Sequence, residues 1–313
     1  MISVIVPIYK NEENLPTLLH ALLEIEPQLT GSMEVVFVVD GSPDESYVAL
    51  KKQLPRSGLR AQLLLLSKNF GAFYAVRAGL VAARGDWCAV MAADLQEPIE
   101  LIVEFDRRLA SGETDVVVGK RIERRDSWFS KLCSNAYWWI YRRFVEPAIP
   151  AGGVDVFACT AQVRDVLANM PETTEFLIGQ LFWVGFRRET VPYKRRERQI
   201  GKSAWTLRKK ITYFLDSLFA FTDLPIRLLT IAGILGLMTG FSMAVIVVFA
   251  RVFSSYVVPG YAATVMLVIF FGSLNCLGLG IIGNYVWRAF LNTHRRPNFI
   301  VAASDQFGYT EDD

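Results

Sequence analysis

Two long uncharged stretches near the C-terminal end constrain this chain most. No Asp, Glu, Lys, Arg or His occurs from Leu228 to Ala250, and none from Val252 to Trp287. A membrane hydrocarbon core takes roughly 20 apolar residues per helix, so each stretch is long enough to cross it. Pro259-Gly260 marks a turn between two candidate spans, 226–250 and 260–287. Basic residues crowd 120–125, 187–210 and 288–296, and the last two runs flank the pair, whereas the connection carries only Arg251. By the positive-inside rule, both ends of this hairpin and everything before it face the cytoplasm. With Arg251 as the lone ionisable group, the hairpin reads as an anchor and not as a transport path. Asn275 and Asn284 suit helix–helix contact, and Gly272, Gly278, Gly280 and Gly283 allow close packing and a homo-oligomer.

About 220 residues precede the hairpin, enough for one large α/β core. The opening apolar run is too short for a secretory leader and lacks a basic start. The four cysteines, Cys88, Cys133, Cys159 and Cys276, have no CxxC spacing, which speaks against a disulfide framework or a structural zinc site. Only His20 and His294 exist, so a histidine-centred triad or multi-histidine metal site has little support. A net charge of +2 gives no nucleic-acid-binding body.

The first half alternates. Ile2–Pro7 is a β-branched run, and Leu15, Leu18, Leu19, Leu22 and Leu23 then recur at helical spacing, with Pro16 tolerable in a first turn. Strands are predicted at Val35–Val39, Leu63–Leu66, Trp87–Ala92 and Asp115–Val118, with helices over Ala72–Ala83 and Ile99–Leu109. Ser42, Pro43 and Glu45 read as N-cap, first helical residue and capping-box partner of a further helix. Such alternation predicts a mostly parallel, doubly wound sheet, whose ligands bind beyond the carboxyl ends of the strands at a switch in strand order. Asp40, Asn69 and Asp94 all follow strand ends and are expected to converge. The aromatic and basic mixture over 126–145 suits either an interfacial helix or one packed on the sheet, 205–225 reads as a juxtamembrane helix, and the acidic tail 304–313 is expected to be disordered.

No GxGxxG follows a strand and no GxxxxGK[ST] occurs, which argues against a dinucleotide dehydrogenase or a P-loop NTPase. The remaining chemistry is carboxylates at strand ends. Asp40 suits a base or ribose; Asp94, with Gln96, suits a hard divalent cation completed by substrate phosphates.

The ordered run VIVPIYKNEENLP, VVDGSPDES, LLSKNFG, AADLQEP and GKR resembles the successive motifs of family 2 glycosyltransferases with a GT-A fold. GGVDVF, RERQIGKSAW, FTDLPIR and GLGIIGNYVWR extend the likeness to the polyprenyl-phosphate branch, over residues 2 to 300. That branch includes dolichol-phosphate mannose synthase and bactoprenol-phosphate glucosyltransferases. The resemblance implies a GT-A domain over 1–204, the juxtamembrane helix and hairpin, and a cytoplasmic tail 288–313. It implies that Pro7, Tyr9, Glu12, Asp40, Asn69, Asp94 and Arg121 bind a nucleotide-sugar, that Asp94 and Gln96 hold Mg²⁺ or Mn²⁺, and that Asp155 is the catalytic carboxylate beside Asp94. Arg121, Arg198, Lys202 and Ser203 would meet the donor or acceptor phosphate.

Three departures stand out. Ala92-Ala93-Asp94 replaces the family's Asp-Ala-Asp, Asp155-Val156-Phe157 replaces Asp-Phe-Arg, and Lys10-Asn11 replaces Asn-Glu. The implied reaction is inverting transfer from a UDP-hexose such as UDP-glucose to a polyprenyl phosphate at a bacterial inner membrane, feeding cell-envelope glycan modification. An acceptor phosphate monoester, with a second pKa of about 6, needs no strong base, so Asp155 is expected to orient the acceptor or balance charge. The alternatives are an impaired, membrane-bound nucleotide-sugar-binding scaffold, which Ala92 favours, and a polysaccharide synthase, which the missing QxxRW motif disfavours.

Overall fold

The structure is a computed structural model that describes residues 1–122, 139, 142–143, 149–150, 154, 156–170, 177–196, 224–253, 260–293 and 296–309. The chain divides into two compact units, Met1–Ser217 with Pro297–Asp313, and Leu218–Arg296.

The first unit is built on a mixed, mostly parallel sheet of eight strands. β1 (Ile2–Ile8), β2 (Met33–Val39), β3 (Ala61–Leu66) and β4 (Trp87–Val90) are parallel neighbours, in the order β4-β1-β2-β3. Every residue of β2 is buried, as expected of a parallel strand covered on both faces. α1 (Leu15–Ile25) buries Leu15, Leu18, Leu19, Leu22 and Ile25, the stripe that the leucine spacing predicts, with Pro16 in its first turn. α2 (Ser46–Gln53) and α3 (Ala72–Ala82) follow β2 and β3, and α4 (Glu100–Ala110) turns Leu101, Ile102, Phe105 and Leu109 inward. Asp106 is buried with them, its carboxylate taking the Thr30 N–H and the Trp87 indole N–H, both at 2.7 Å.

β5 (Val116–Arg121), β6 (Phe157–Thr160), α5 (Ala161–Asn169), α6 (Leu177–Trp183) and β7 (Arg188–Tyr193) complete the far side of the sheet in the order β7-β5-β6-β4. β6 runs antiparallel to both β4 and β5, and β7 parallel to β5. The carboxyl ends of β1 to β5 and of β7 therefore share one edge. The five predicted strands and their helices are present. α2, however, begins at Ser46 with Glu45 in the N-cap position, and the residue before it, Asp44, ties this start together: its Oδ1 accepts from the Ser46 N–H (3.3 Å), the Ser46 hydroxyl (2.8 Å) and the Ser42 hydroxyl (2.5 Å). Asp44 out-competes Ser42 because a carboxylate accepts several bonds at once. Of 126–145, only Trp139, Arg142 and Arg143 are described, all three helical; 205–223 lies outside the described residues.

Residues 304–309 of the tail are ordered, contrary to the expectation of disorder; 310–313 lie outside the described residues. β8 (Val301–Phe307) pairs antiparallel with β3 and covers what would be an open edge. Asp305 accepts from the Tyr47 hydroxyl at 2.6 Å and from Lys51 Nζ at 2.9 Å. Beyond it the chain turns at Gly308 (φ +73°), where a side-chain carbon would lie 2.7 Å from the Leu59 carbonyl oxygen. Tyr309 then sets its ring beneath the Arg60 and Arg84 guanidinium groups, at 5.3 and 4.8 Å. Its hydroxyl donates to Glu34 at 2.6 Å. Glu34, fully buried, also accepts from Ser3, Gln62 (3.2 Å) and the Arg84 N–H (2.6 Å). Burial pushes the Glu34 carboxyl up, but these four bonds outweigh it and hold it below the ordinary range. A depressed carboxyl gives stability that is complete above its unfolded pKa and is lost as pH falls through the folded value. Tyr309→Phe removes one donor to this carboxylate and should cost about 1.5–3 kcal/mol at neutral pH. Melting the detergent-solubilised chain at pH 7 and again below pH ~4 should show that deficit shrink in acid.

The second unit contains α7 (Leu224–Phe253) and α8 (Tyr261–Thr293), each longer than its predicted span. Among the described residues, Pro225–Ser242 has a mean hydropathy of 1.4 over 18 residues and is long and apolar enough to cross a membrane. Only 6% of that window is buried, unlike the core helix of a soluble domain. A carbon added to Gly236 would meet the Phe271 ring at 2.9 Å, and one added to Gly278 would meet Leu229 at 3.3 Å. Advancing along α7 from Leu229 to Gly236 retreats along α8 from Gly278 to Phe271, so the two helices pack antiparallel. Among the described residues, nothing lies within 4 Å of a carbon added to Gly272, Gly280 or Gly283.

Candidate active site

The strand order reverses at β1, whose neighbours are β2 on one side and β4 on the other. β4 pairs with β1 only as far as Ile5, where the Met91 N–H reaches the Ile5 carbonyl at 3.1 Å. Beyond that bond the two strands part. Pro7 shares the parity of Ile5, so its missing N–H faces this opening and forfeits no ladder bond. Along the edge the order is Arg121 at the end of β5, Asp94 after β4, Tyr9 after β1, Asp40 after β2 and Asn69 after β3. The predicted residues Pro7, Tyr9, Glu12, Asp40, Asn69, Asp94, Gln96 and Arg121 thus come together on one edge. Asp155, Arg198, Lys202 and Ser203 lie outside the described residues.

The loops after β1, β2 and β3 are stitched into one surface. Lys10, held at φ +56°, donates its N–H to the Ser42 hydroxyl at 2.8 Å. The Glu12 N–H reaches Asp44 at 3.2 Å, and the Glu12 carboxylate accepts from the Glu45 N–H at 3.0 Å. For Asp44, partial burial acts upward, but the hydroxyl and amide donors together hold the carboxyl below its usual range. Asp40 joins the second loop to the third. Its two oxygens accept the Phe70 N–H at 2.7 Å and the Gly71 N–H at 2.9 Å. Asn69 donates to the Asp40 carbonyl at 3.3 Å. Asp40 is 2% exposed; burial pushes its carboxyl up despite the two amides. Tyr9, 37% exposed, is the aromatic face this surface offers, with Lys10 Nζ 5.5 Å from its ring.

Residues 3–168 match the protein-family model for glycosyl transferase family 2. The chain belongs to glycosyl transferase family 2. Over 301 residues, 96% of this chain and 98% of the relative, it is 28% identical to a prophage bactoprenol glucosyl transferase homologue of Escherichia coli. It is also 28% identical, over 96% of this chain and 92% of the relative, to an undecaprenyl-phosphate 4-deoxy-4-formamido-L-arabinose transferase of Sodalis glossinidius. Its fold is similar to that of glucosyl-3-phosphoglycerate synthase from Mycobacterium tuberculosis, solved with Mn²⁺, UDP-glucose and phosphoglyceric acid. That likeness has a TM-score of 0.50 at 17% identity, over 69% of this chain and 76% of that one. The sheet is GT-A-like.

In this family 2 chain the turn after β4 carries two carboxylates, Asp94 and the buried, Arg195-paired Glu97. Asp94 is half-buried and its Oδ1 accepts the Gln96 N–H at 3.3 Å across Leu95, whose φ is +50°. Among the described residues no cluster of three His, Cys, Asp or Glu could hold a metal alone. The donor set fits a hard cation that takes one carboxylate from the protein and its other oxygens from a diphosphate and water. The side-chain oxygen of Gln96, expected as a second ligand, accepts a hydrogen bond from the Arg195 guanidinium. Arg195 Nε also lies 3.2 Å from the buried Glu97 carboxylate, the Arg196 N–H donates to the Gln96 carbonyl at 2.8 Å, and its guanidinium reaches Glu100 at 3.1 Å. Sequence reasoning missed this contact. Its only trace was the basic run beginning at Arg187, which reads equally well as a phosphate grip.

Proposed function

We propose that this family 2 glycosyltransferase moves a sugar from a nucleotide-sugar onto the phosphate of a polyprenyl-phosphate lipid, with inversion, at the cytoplasmic face of a bacterial inner membrane. One juxtaposition carries the reading. The same chain holds a GT-A-like edge with a carboxylate at the β4 turn and a long, exposed, apolar helix. A polyprenyl tail stays in the bilayer, so an enzyme that glycosylates it must bring its edge to the membrane surface. The two named relatives support the acceptor class: both names carry a polyprenyl lipid, whereas the sugars differ. The donor is accordingly assigned by class, a UDP-hexose, with UDP-glucose as the leading candidate.

In this reading Pro7, Tyr9 and Glu12 line the nucleotide pocket, and Asp40 and Asn69 hold its wall in place. Asp94 binds Mg²⁺ or Mn²⁺, which when bound neutralises the leaving diphosphate. Arg121 meets the donor or acceptor phosphate, and Arg198, Lys202 and Ser203 close over it. Asp155 orients the acceptor, whose phosphate is already mostly deprotonated near neutral pH. α7 and α8 form the two-helix anchor with both ends in the cytoplasm, and the open glycine face of α8 is the surface for a homo-oligomer.

Purified protein with undecaprenyl phosphate, Mg²⁺ or Mn²⁺ and a panel of labelled UDP- and GDP-sugars should yield one labelled glycolipid. Nucleotide-sugar binding without glycolipid from any donor would instead favour the impaired scaffold.

A further inference from the structure

The turn that presents Asp94 is held from outside by residues distant in sequence. Leu95 sits in the left-handed region, uncommon for a bulky residue and kept only where the surroundings over-determine it. Within the turn, the bond from the Gln96 N–H to Asp94 is long at 3.3 Å. The restraint comes from the residues that follow β7. The Arg196 N–H caps the Gln96 carbonyl at 2.8 Å. The Arg195 guanidinium spans the Gln96 side-chain oxygen and the Glu97 carboxylate, and Glu97 is only 3% exposed. Leu95 packs against the main core. The turn is thus held by the core and by one guanidinium fork.

We propose that Arg195 is a positioning residue that fixes the Asp94–Gln96 turn for cation and diphosphate binding, and that Gln96 serves as its handle and not as a metal ligand. The inference rests on the function proposed above and concerns a residue that neither the motif resemblance nor the relatives assign. The fork matters as well as the charge. A guanidinium can bond Gln96 and Glu97 together, whereas an ammonium offers a compact point charge. The Arg196 side chain is outside the proposal, since its partner Glu100 is 63% exposed and such surface pairs contribute little.

The test is Mn²⁺ binding by the full-length, detergent-solubilised chain in the presence of UDP or, in a parallel arm, GDP. Free Mn²⁺ is read from its electron paramagnetic resonance signal, which needs no turnover. Arg195→Ala should weaken Mn²⁺–nucleotide binding tenfold or more. Its kcat at saturating Mn²⁺ should stay within about threefold of wild type, because Asp94 itself is intact. Arg195→Lys should recover part of the loss, and this variant decides the matter if Arg195→Ala does not fold. Arg196→Ala should bind within twofold of wild type. Gln96→Glu should also leave Mn²⁺ binding within twofold; a ligand made anionic would tighten it markedly. Arg195→Ala binding within twofold of wild type, or more tightly, would overturn the positioning role. Tighter binding by Gln96→Glu would restore Gln96 as a ligand. A wild-type chain that binds Mn²⁺ with neither nucleotide takes down the proposed function and this inference together. A binding-competent wild type with an unaffected Arg195→Ala takes down this inference alone.

Discussion

Asp94→Asn should lower sugar transfer by about 10²–10³-fold, the range seen when one preorganised electrostatic group is removed from an active site. The expectation follows from what the β4 turn lacks. Ala92 and Ala93 precede Asp94, and the next carboxylate, Glu97, is buried against Arg195, so neither side of the turn offers an exposed carboxylate to take over its charge. Asparagine keeps the shape and one carbonyl oxygen, and that oxygen can still accept the Gln96 N–H that Asp94 accepts at 3.3 Å. The turn should therefore survive while its charge is lost. Melting temperature should move by no more than a degree or two, and glycolipid formation, measured as kcat/KM for the nucleotide-sugar, should fall. A transfer rate within fivefold of wild type would remove Asp94 from the chemistry and leave the cation role without a protein ligand.

The parts of this molecule legible in its sequence are those set by local pattern. The buried runs of β1 to β5 read directly, because a strand covered on both faces is apolar at nearly every position, as Met33–Val39 is. Asp40, Asn69 and Asp94 were legible as strand-end residues, since parallel strands deliver their carboxyl ends to one edge. What each carboxylate does there was less legible. Asp40 faces inward to two backbone amides thirty residues away, and nothing in VVDGSPDES distinguishes that from an outward-facing ligand. The Arg195 contact of Gln96 was illegible for the same reason, because the partner lies 99 residues on. β8 was missed because Val-Ala-Ala-Ser-Asp-Gln-Phe has only Val301 and Phe307 as large apolar residues, and it becomes a strand by pairing with the edge of β3. Edge pairing depends on the partner far more than on intrinsic preference.

Gly41→Ala should be among the most destabilising single substitutions in the first unit, at about 3–5 kcal/mol. Gly41 has φ +52°, where an alanine costs roughly 1–2 kcal/mol by itself. The larger part is steric. A methyl there would lie 2.2 Å from the Lys68 carbonyl carbon and 2.4 Å from the Asn69 nitrogen, and both are backbone atoms without a rotamer to change. The 68–71 loop must move, and that loop supplies the Phe70 and Gly71 N–H groups to Asp40. Asp40 would then remain buried with its charge poorly satisfied. The pH dependence separates this from a generic loss of packing. Burial already raises the Asp40 carboxyl above its usual range, against the pull of two amides, and losing the amides raises it further. A carboxyl raised in the folded state costs stability above its folded pKa, and the cost fades as pH falls through that value and protonation removes the charge. The deficit of Gly41→Ala should therefore be largest at neutral pH and shrink as the pH is lowered into the acid range. Gly58→Ala is the control. Gly58 has φ +78° with no neighbour within 4 Å among the described residues, so it isolates the backbone strain, should cost about 1–2 kcal/mol and should show no such pH dependence. Equal losses at the two positions would mean that the clash at Lys68 is absorbed by the loop and that Asp40 does not depend on it.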